Sequence, residues 1–156
     1  MTDSQNTNDE SLTAPYVMEF AYNRTLGTVL SDFFTGLRDG KILGIKAQDG
    51  RVIVPPQEYD PDTSEDLSEM VEVKDTGVVT TWSWIENPRE KHPMQKPFGW
   101  ALIKLDGADT AMLHVVDAGS MEAMSTGMRV KARWAEERVG YMTDCLLYTS
   151  PSPRDS

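Results

Sequence analysis

The second half of the chain alternates apolar and polar residues in short runs separated by turn residues, and this pattern restricts it to β-structure. The clearest run, MRVKARW at residues 128–134, places apolar side chains on one face of a strand and cations on the other. The predicted strands cover residues 70–85, 98–105, 111–116, 128–134 and 139–143. A short helical turn capped by Ser120 precedes the fourth. We therefore predict a five-stranded OB-fold barrel over residues 70–144, with Gly77 marking a bulge or bend.

Two further elements precede the barrel. Apolar residues recur at helical spacing from Leu26 to Leu37, and Gly40 is placed to end a helix. Residues 23–40 are therefore predicted to form an amphipathic helix that packs on its own domain, with docking on a partner chain as the alternative. Residues 41–45 and 51–54 predict a hairpin across an Asp-Gly turn, which two prolines end.

The charge of the chain is concentrated in two stretches. The formal net charge is −10, from 25 acidic and 15 basic side chains. Residues 1–15 carry three acids and no base, and residues 58–75 carry eight acids and one base, so the remainder is balanced. Residues 1–22 are predicted to be a disordered acidic leader. The acidic stretches disfavour a role as a generic nucleic-acid binder.

Several classes of protein are disfavoured by what the sequence contains. No apolar run approaches the ~18–20 residues that a membrane span needs, and the first residues do not resemble a secretory signal, so we predict a cytoplasmic protein. The single cysteine excludes a disulfide framework and a zinc site built on thiolates. Residues 145–156, CLLYTSPSPRDS, resemble the translated sequencing-adapter read-through at the ends of metagenomic gene predictions. We therefore expect them to be an artefactual tail on a chain cut near Asp144.

Taken in order, the helix, hairpin and barrel resemble a known family. Residues 26–56, followed by the strand around Gly77 and by FGWALIKL to KARW (residues 98–134), are similar to the Zn-ribbon/OB-fold proteins called "domain of unknown function 35". The similarity covers residues 24–144. It implies a non-catalytic accessory subunit of a thiolase or a MaoC-type (hot-dog fold) enoyl-CoA hydratase in lipid or steroid metabolism. It also implies acyl-CoA as a ligand that the barrel helps to bind.

The hairpin departs from the family pattern. Family members place a Cys-x-x-Cys pair in the hairpin turn and another after the prolines, whereas this chain has KAQDG (residues 46–50) and DPDT (residues 60–63) there. We therefore predict that residues 41–69 form a degenerate ribbon and acidic loop with no zinc and no other cofactor. Such a short hairpin is marginal alone, so it is expected to lean on the barrel or on a partner.

The acidic loop carries one alternative. Its residues 60–68 repeat the odd-numbered ligand spacing of a calcium loop. However, Glu65 stands where a glycine must turn, and Val71 stands where a bidentate Glu belongs. A solvated acidic linker is therefore favoured over calcium binding.

The sequence offers little for catalysis, and no catalytic residue is predicted. The two histidines are His92, in a proline-rich loop, and His114, inside a predicted strand. The sequence contains no nucleophile elbow and no phosphate-binding glycine loop.

Two features instead point to binding: aromatic rings flanking residues 86–97, and the cationic face of the strand at 128–134. The candidate ligand-binding residues are Trp84, His92, Phe98, Trp100, Arg129, Lys131 and Arg133. The purely structural alternatives are that the rings fill the core and that the cations lie on a solvated outer face. The functional one is contact with CoA phosphates or an acidic partner. The same residues leave open a single-stranded nucleic-acid-binding OB module.

Overall fold

The computed structural model describes residues 11–23 and 25–149, so predictions on residues 1–10, 24 and 150–156 lie outside the described part. The helix α1 (Gly27–Arg38) precedes eight strands. The strands are β1 (Ile42–Lys46), β2 (Val52–Ile53), β3 (Glu69–Val73), β4 (Thr76–Ile85), β5 (Phe98–Leu105), β6 (Met112–Asp117), β7 (Arg129–Trp134) and β8 (Cys145–Thr149). Two 3-10 turns cover Met121–Ala123 and Met142–Asp144, and Ser120 makes no side-chain capping bond to the first. The predicted mainly β class with one N-terminal helix is confirmed.

The helix packs on its own domain rather than presenting its apolar stripe to solvent. Val29, Phe33 and Leu37, spaced four residues apart, are all buried, and the helix contacts β1. It ends where Gly40 adopts a φ of +78° and the Lys41 N–H donates to the Gly36 carbonyl. Within the described residues, no helix is both long and apolar enough to cross a membrane.

The hairpin is part of a three-stranded sheet with the order β2-β1-β3. Residues 70–85 were predicted to form one barrel strand, and this is wrong: the strand breaks at Lys74 and Asp75. Its first half, β3, pairs antiparallel with all five residues of β1, and only its second half enters the barrel. The physical reason is that a lone hairpin is marginal in water, whereas a third strand pairs the open edge of β1.

The remaining strands close into a barrel in the order β4-β5-β6-β8-β7, with β7 pairing back onto β4. All pairs are antiparallel except β6 with β8, which is the topology of an OB-fold. Along each barrel strand, every second side chain points inward, and these side chains fill the interior. The most buried of them are Val79, Ala101, Ile103, Leu105, Val116, Val130 and Leu147.

The last strand differs from the prediction. Residues 139–143 are not a strand, because Gly140 has a φ of +86° and the Asp144 carboxylate accepts the N–H groups of Val139, Gly140 and Tyr141. The strand that closes the barrel is β8, whose Cys145 is buried. The barrel therefore extends beyond the predicted boundary at 144, into the segment interpreted as read-through. The origin of residues 145–156 is not tested by this placement and stays a prediction.

Gly77 has a different role from the predicted one. The β4–β5 register shifts between Val79 and Thr81, so the bulge lies there and not at Gly77. A Cβ at Gly77 would lie 2.6 Å from the Lys104 carbonyl oxygen and 2.9 Å from the Leu105 Cα. The glycine is therefore needed because two backbones approach closely at the point where the chain enters the barrel.

Candidate functional site

One arginine joins the hairpin turn to the acidic loop. The Arg51 Nε lies 2.6 Å from the Asp49 Oδ2, its Nη2 lies 3.2 Å from the Asp60 Oδ1, and its Nη1 lies 3.0 Å from the Asp62 Oδ2. Asp60 is 4% exposed and also accepts the N–H groups of Asp62 and Thr63. These N–H donors, together with Arg51, hold the pKa of Asp60 below its usual value. We call these four side chains, Arg51, Asp49, Asp60 and Asp62, the Arg51 cluster.

The Arg51 cluster occupies the two segments where the resembled family carries its cysteine pairs. The Arg51 guanidinium lies between carboxylates of the two segments, so its charge cross-links the hairpin turn and the acidic loop. In the described part of the chain, no three or more His, Cys, Asp or Glu side chains are grouped to hold a metal ion. Sequence reasoning missed Arg51, although an arginine directly after an Asp-Gly turn and opposite an acidic loop was the available signal.

The hairpin also leans on the barrel, through the loop between β5 and β6. The Val52 N–H donates to the Asp109 carboxylate, and the Asp109 N–H donates to the Val52 carbonyl, each at 2.8 Å. The Thr110 hydroxyl likewise accepts the Val54 N–H at 2.8 Å and donates to the Val54 carbonyl at 3.0 Å. These paired bonds satisfy the outer edge of β2.

The ribbon and barrel enclose a cleft of about 850 Å³ at their junction. Trp134 closes one side, and its indole N–H lies 3.4 Å from the Asp75 carboxylate. Charged side chains of both signs line the cleft: Lys41, Lys74, Glu72, Asp75 and Asp106. Sequence reasoning missed this cleft because it exists only when residues 69–73 pair with the ribbon.

The candidate aromatic residues do not form one platform. Trp84 is paired with Gly99, so it points to the barrel side of the sheet, where it is half-buried and donates to Glu86 at 2.7 Å. Phe98 and Trp100 point to the outer side, edge to face at 5.4 Å between ring centroids. His92 packs on Phe98 at 5.6 Å and accepts the Arg89 N–H through its Nδ1.

The structure therefore brings His92, Phe98 and Trp100 together and leaves Trp84 on the other face. Phe98 is 0% exposed, so it supports its neighbours and cannot touch a ligand. Trp84, His92 and Trp100 remain partly accessible.

The three candidate cations on β7 differ in their availability. Arg129 binds Asp106 through both terminal nitrogens, with 2.9 Å between Nη1 and Oδ1, and Thr76 also donates to that carboxylate. These bonds lower the pKa of Asp106 to about 2. Arg133 lies 3.1 Å from the Asp117 carboxylate, which Lys96 also contacts at 3.0 Å. Burial would raise the pKa of Asp117, but these two cations hold it below its usual value.

Lys131, between the two arginines, is exposed and has no carboxylate within 4 Å among the described residues. Two of the three cations are thus neutralised within the chain. With the rings split between two faces, the described residues do not form a stacking platform beside a free cationic strip, and we do not propose a nucleic-acid site.

His114 is a buried residue of the barrel. It is 4% exposed, and its Nε2 lies 2.6 Å from the Cys145 carbonyl oxygen, to which the neutral ring donates. Burial lowers the pKa of His114 below the ordinary 6.5, although the bond to Cys145 opposes this.

This burial predicts a pH-dependent stability. The unfolded chain takes up a proton that the folded chain excludes, so the free energy of unfolding is expected to fall as the pH drops below about 6.5, by at most ~1.4 kcal/mol per pH unit. Urea titrations between pH 7.5 and 5 measure the slope. His114→Gln should flatten this slope. A slope that His114→Gln leaves unchanged would contradict the prediction.

The helix and strands described above define one class of protein: an OB-fold barrel joined to a small three-stranded ribbon. Residues 70–135 match the family model described as the ChsH2 C-terminal OB-fold domain. These residues are therefore similar to the ChsH2-type OB-fold domains, and the resemblance to "domain of unknown function 35" is confirmed. No curated protein matches the chain significantly.

Solved structures extend the likeness beyond the barrel. A DUF35-family protein of unknown function from Sulfolobus solfataricus is 23% identical with a TM-score of 0.60, covering 80% of this chain and 87% of its own. A structure described as the Ltp2-ChsH2(DUF35) aldolase is 20% identical with a TM-score of 0.59, covering 83% of this chain and 96% of its own. At these identities the likeness establishes the fold.

Proposed function

We propose that this protein is a non-catalytic accessory subunit of an enzyme that acts on acyl-CoA esters. The match of residues 70–135 to the ChsH2-type OB-fold domain carries the proposal. One of the similar solved structures is described as an aldolase and names a DUF35 chain beside a second protein, Ltp2. The partner that we propose for this chain is a thiolase or a hot-dog-fold hydratase.

The site geometry supports a binding role over a catalytic one. His114 is buried in the barrel, and His92 contacts the buried Phe98 and a main-chain N–H. Of the candidate residues, Trp84, His92, Trp100 and Lys131 remain able to touch a ligand. Lys131 is exposed and has no carboxylate within 4 Å in the described part of the chain, which suits contact with a CoA phosphate. A half-buried indole suits the adenine ring or acyl chain.

The test is co-expression with a candidate thiolase or hot-dog-fold hydratase from the same genome. We expect the two chains to co-purify in a fixed ratio and the kcat/KM of the enzyme for its CoA ester to rise. Lys131→Gln should raise KM for the CoA ester about threefold or more, since one charge-assisted contact is lost, and should leave KM for a pantetheine thioester without the nucleotide unchanged. Arg38→Gln, an exposed cation on α1, is the matched control.

A partner enzyme that neither co-purifies nor changes in activity would contradict the accessory role. Equal effects of Lys131→Gln on KM for the CoA ester and for the pantetheine thioester would contradict the proposed phosphate contact, but not the accessory role. Titration with single-stranded oligonucleotide at low salt checks the nucleic-acid alternative, since such binding would weaken steeply as salt is added.

A further inference from the structure

The segment before α1 is apolar and exposed. Residues 16–22, YVMEFAY, form neither helix nor strand, and their five largest apolar side chains are 64–82% exposed. If this segment is extended, Tyr16, Met18, Phe20 and Tyr22 lie on one face. Three aromatic rings in solvent on seven residues are costly, since each buries roughly 150–250 Å² when covered. The segment therefore has the pattern of a strand whose partner is outside the monomer.

A second feature of the same monomer is complementary to it. The pairing of β4 with β7 covers Thr76–Val78, and main-chain bonds to residues 127 and 128 end at Val79. Beyond that point, in the part of the chain that the structure describes, β4 pairs with β5 alone. Residues 80–85, TTWSWI, thus form an open edge without one charged side chain. Edge strands normally carry lysine, proline or a cover that blocks pairing with another chain, and residues 80–85 contain neither lysine nor proline.

The other sheet edges are less suited to accept a strand. The outer edge of β2 is already bonded to Asp109. The outer edge of β3 carries Glu69 and Glu72, within the acidic stretch of the sequence. Glu19 of the incoming segment would meet like charges there. The uncharged edge at residues 80–85 is the better acceptor.

We propose that residues 16–22 of one copy add as a strand to residues 80–85 of a second copy, and that the exchange is reciprocal, giving a two-fold symmetric dimer. The area is sufficient for a stable dimer. Three rings that are about four-fifths exposed supply roughly 450 Å² per chain, and with both copies and the acceptor surface the contact buries on the order of 1,800 Å². The proposal concerns self-association and is independent of the proposed enzyme partner.

The test is sedimentation equilibrium of the purified full chain between about 1 and 100 µM, a range that brackets the affinity of a modest interface. We expect a monomer–dimer equilibrium with the dimer dominant at the upper end. Phe20→Ser in the segment and Ser83→Lys on the edge should each raise Kd at least about tenfold. Leu12→Ser, upstream of the segment, and Glu72→Lys, on the other edge, are matched controls that should leave Kd within about twofold.

Three results would overturn the proposal. The first is a monomer across the whole range. The second is a dimer that is insensitive to both Phe20→Ser and Ser83→Lys. The third is a monomer that Phe20→Ser destabilises toward urea, which would place the segment on its own chain. Val17→Pro removes one N–H from the 74% exposed Val17 without touching the core, so it tests the segment even if Ser83→Lys fails to fold.

Discussion

Replacing Gly77 with alanine is expected to destabilise the barrel by about 3 kcal/mol, which is a large part of the ~5–15 kcal/mol that holds a typical domain. The added Cβ would lie 2.6 Å from the Lys104 carbonyl oxygen. Because the opposing atoms belong to the β5 backbone, no side-chain rotation relieves the clash, and the two strands must separate. Urea denaturation followed by far-UV circular dichroism measures the loss.

The matched control for this prediction is Gly119→Ala. Gly119 has a φ of +84°, and a Cβ there would have no atom within 4 Å, so the cost is left-handed backbone strain of about 1 kcal/mol. A Gly77→Ala protein that is no less stable than Gly119→Ala would show that β4 and β5 are farther apart at this point than the structure places them.

The second large effect is expected at the Arg51 cluster. Arg51→Leu removes the cation shared by Asp49, Asp60 and Asp62, and it leaves the 4% exposed Asp60 with its N–H donors alone. We expect the thermal midpoint to fall by about 5 °C, and the hairpin and acidic loop to lose amide protection first. Hydrogen exchange read by mass spectrometry resolves that loss.

Arg38→Leu is the control for Arg51→Leu. Arg38 pairs with Asp39 at 3.6 Å, both side chains are more than half exposed, and its loss should lower the midpoint by less than about 2 °C. A metal chelator should leave the wild-type midpoint unchanged, since charge holds the two segments together. An equal loss of stability in the two variants would mean that the cluster does not cross-link the ribbon.

The Arg51 cluster also contributes to the expected response to acid, together with Asp106 and Asp117. The pKa values of Asp49 and Asp60 lie below the usual 3.8 in the fold, so the unfolded chain takes up protons first as the pH falls. The stabilisation is therefore fully present above about pH 4 and is lost below it. This window lies well below the one expected for His114, so the two effects can be measured separately.

The division of residues 70–85 into β3 and β4 matters for function as well as for the fold. It gives the ribbon its third strand, creates the cleft closed by Trp134, and leaves the far half of β4 with an open edge. A single continuous strand, as the sequence pattern suggested, would have produced none of these. The surfaces available to a ligand or partner thus follow from one break in one strand.

The alternation of residues 128–134, the apolar stripe of α1 and the Asp-Gly turn each determined an element without help from the rest of the chain, because helical and strand periodicity are local. The OB-type barrel followed from the number and order of such elements.

Tertiary structure alone decided which edges pair, that Asp144 caps residues 139–141, that Arg51 and Asp60 meet, and that Arg129 and Arg133 are neutralised by Asp106 and Asp117. Most of these contacts join segments that meet only when the whole chain packs. The Asp144 bonds instead select one local arrangement of residues 139–144 from several. Their energies depend on burial and distance, which a linear pattern of residues does not contain.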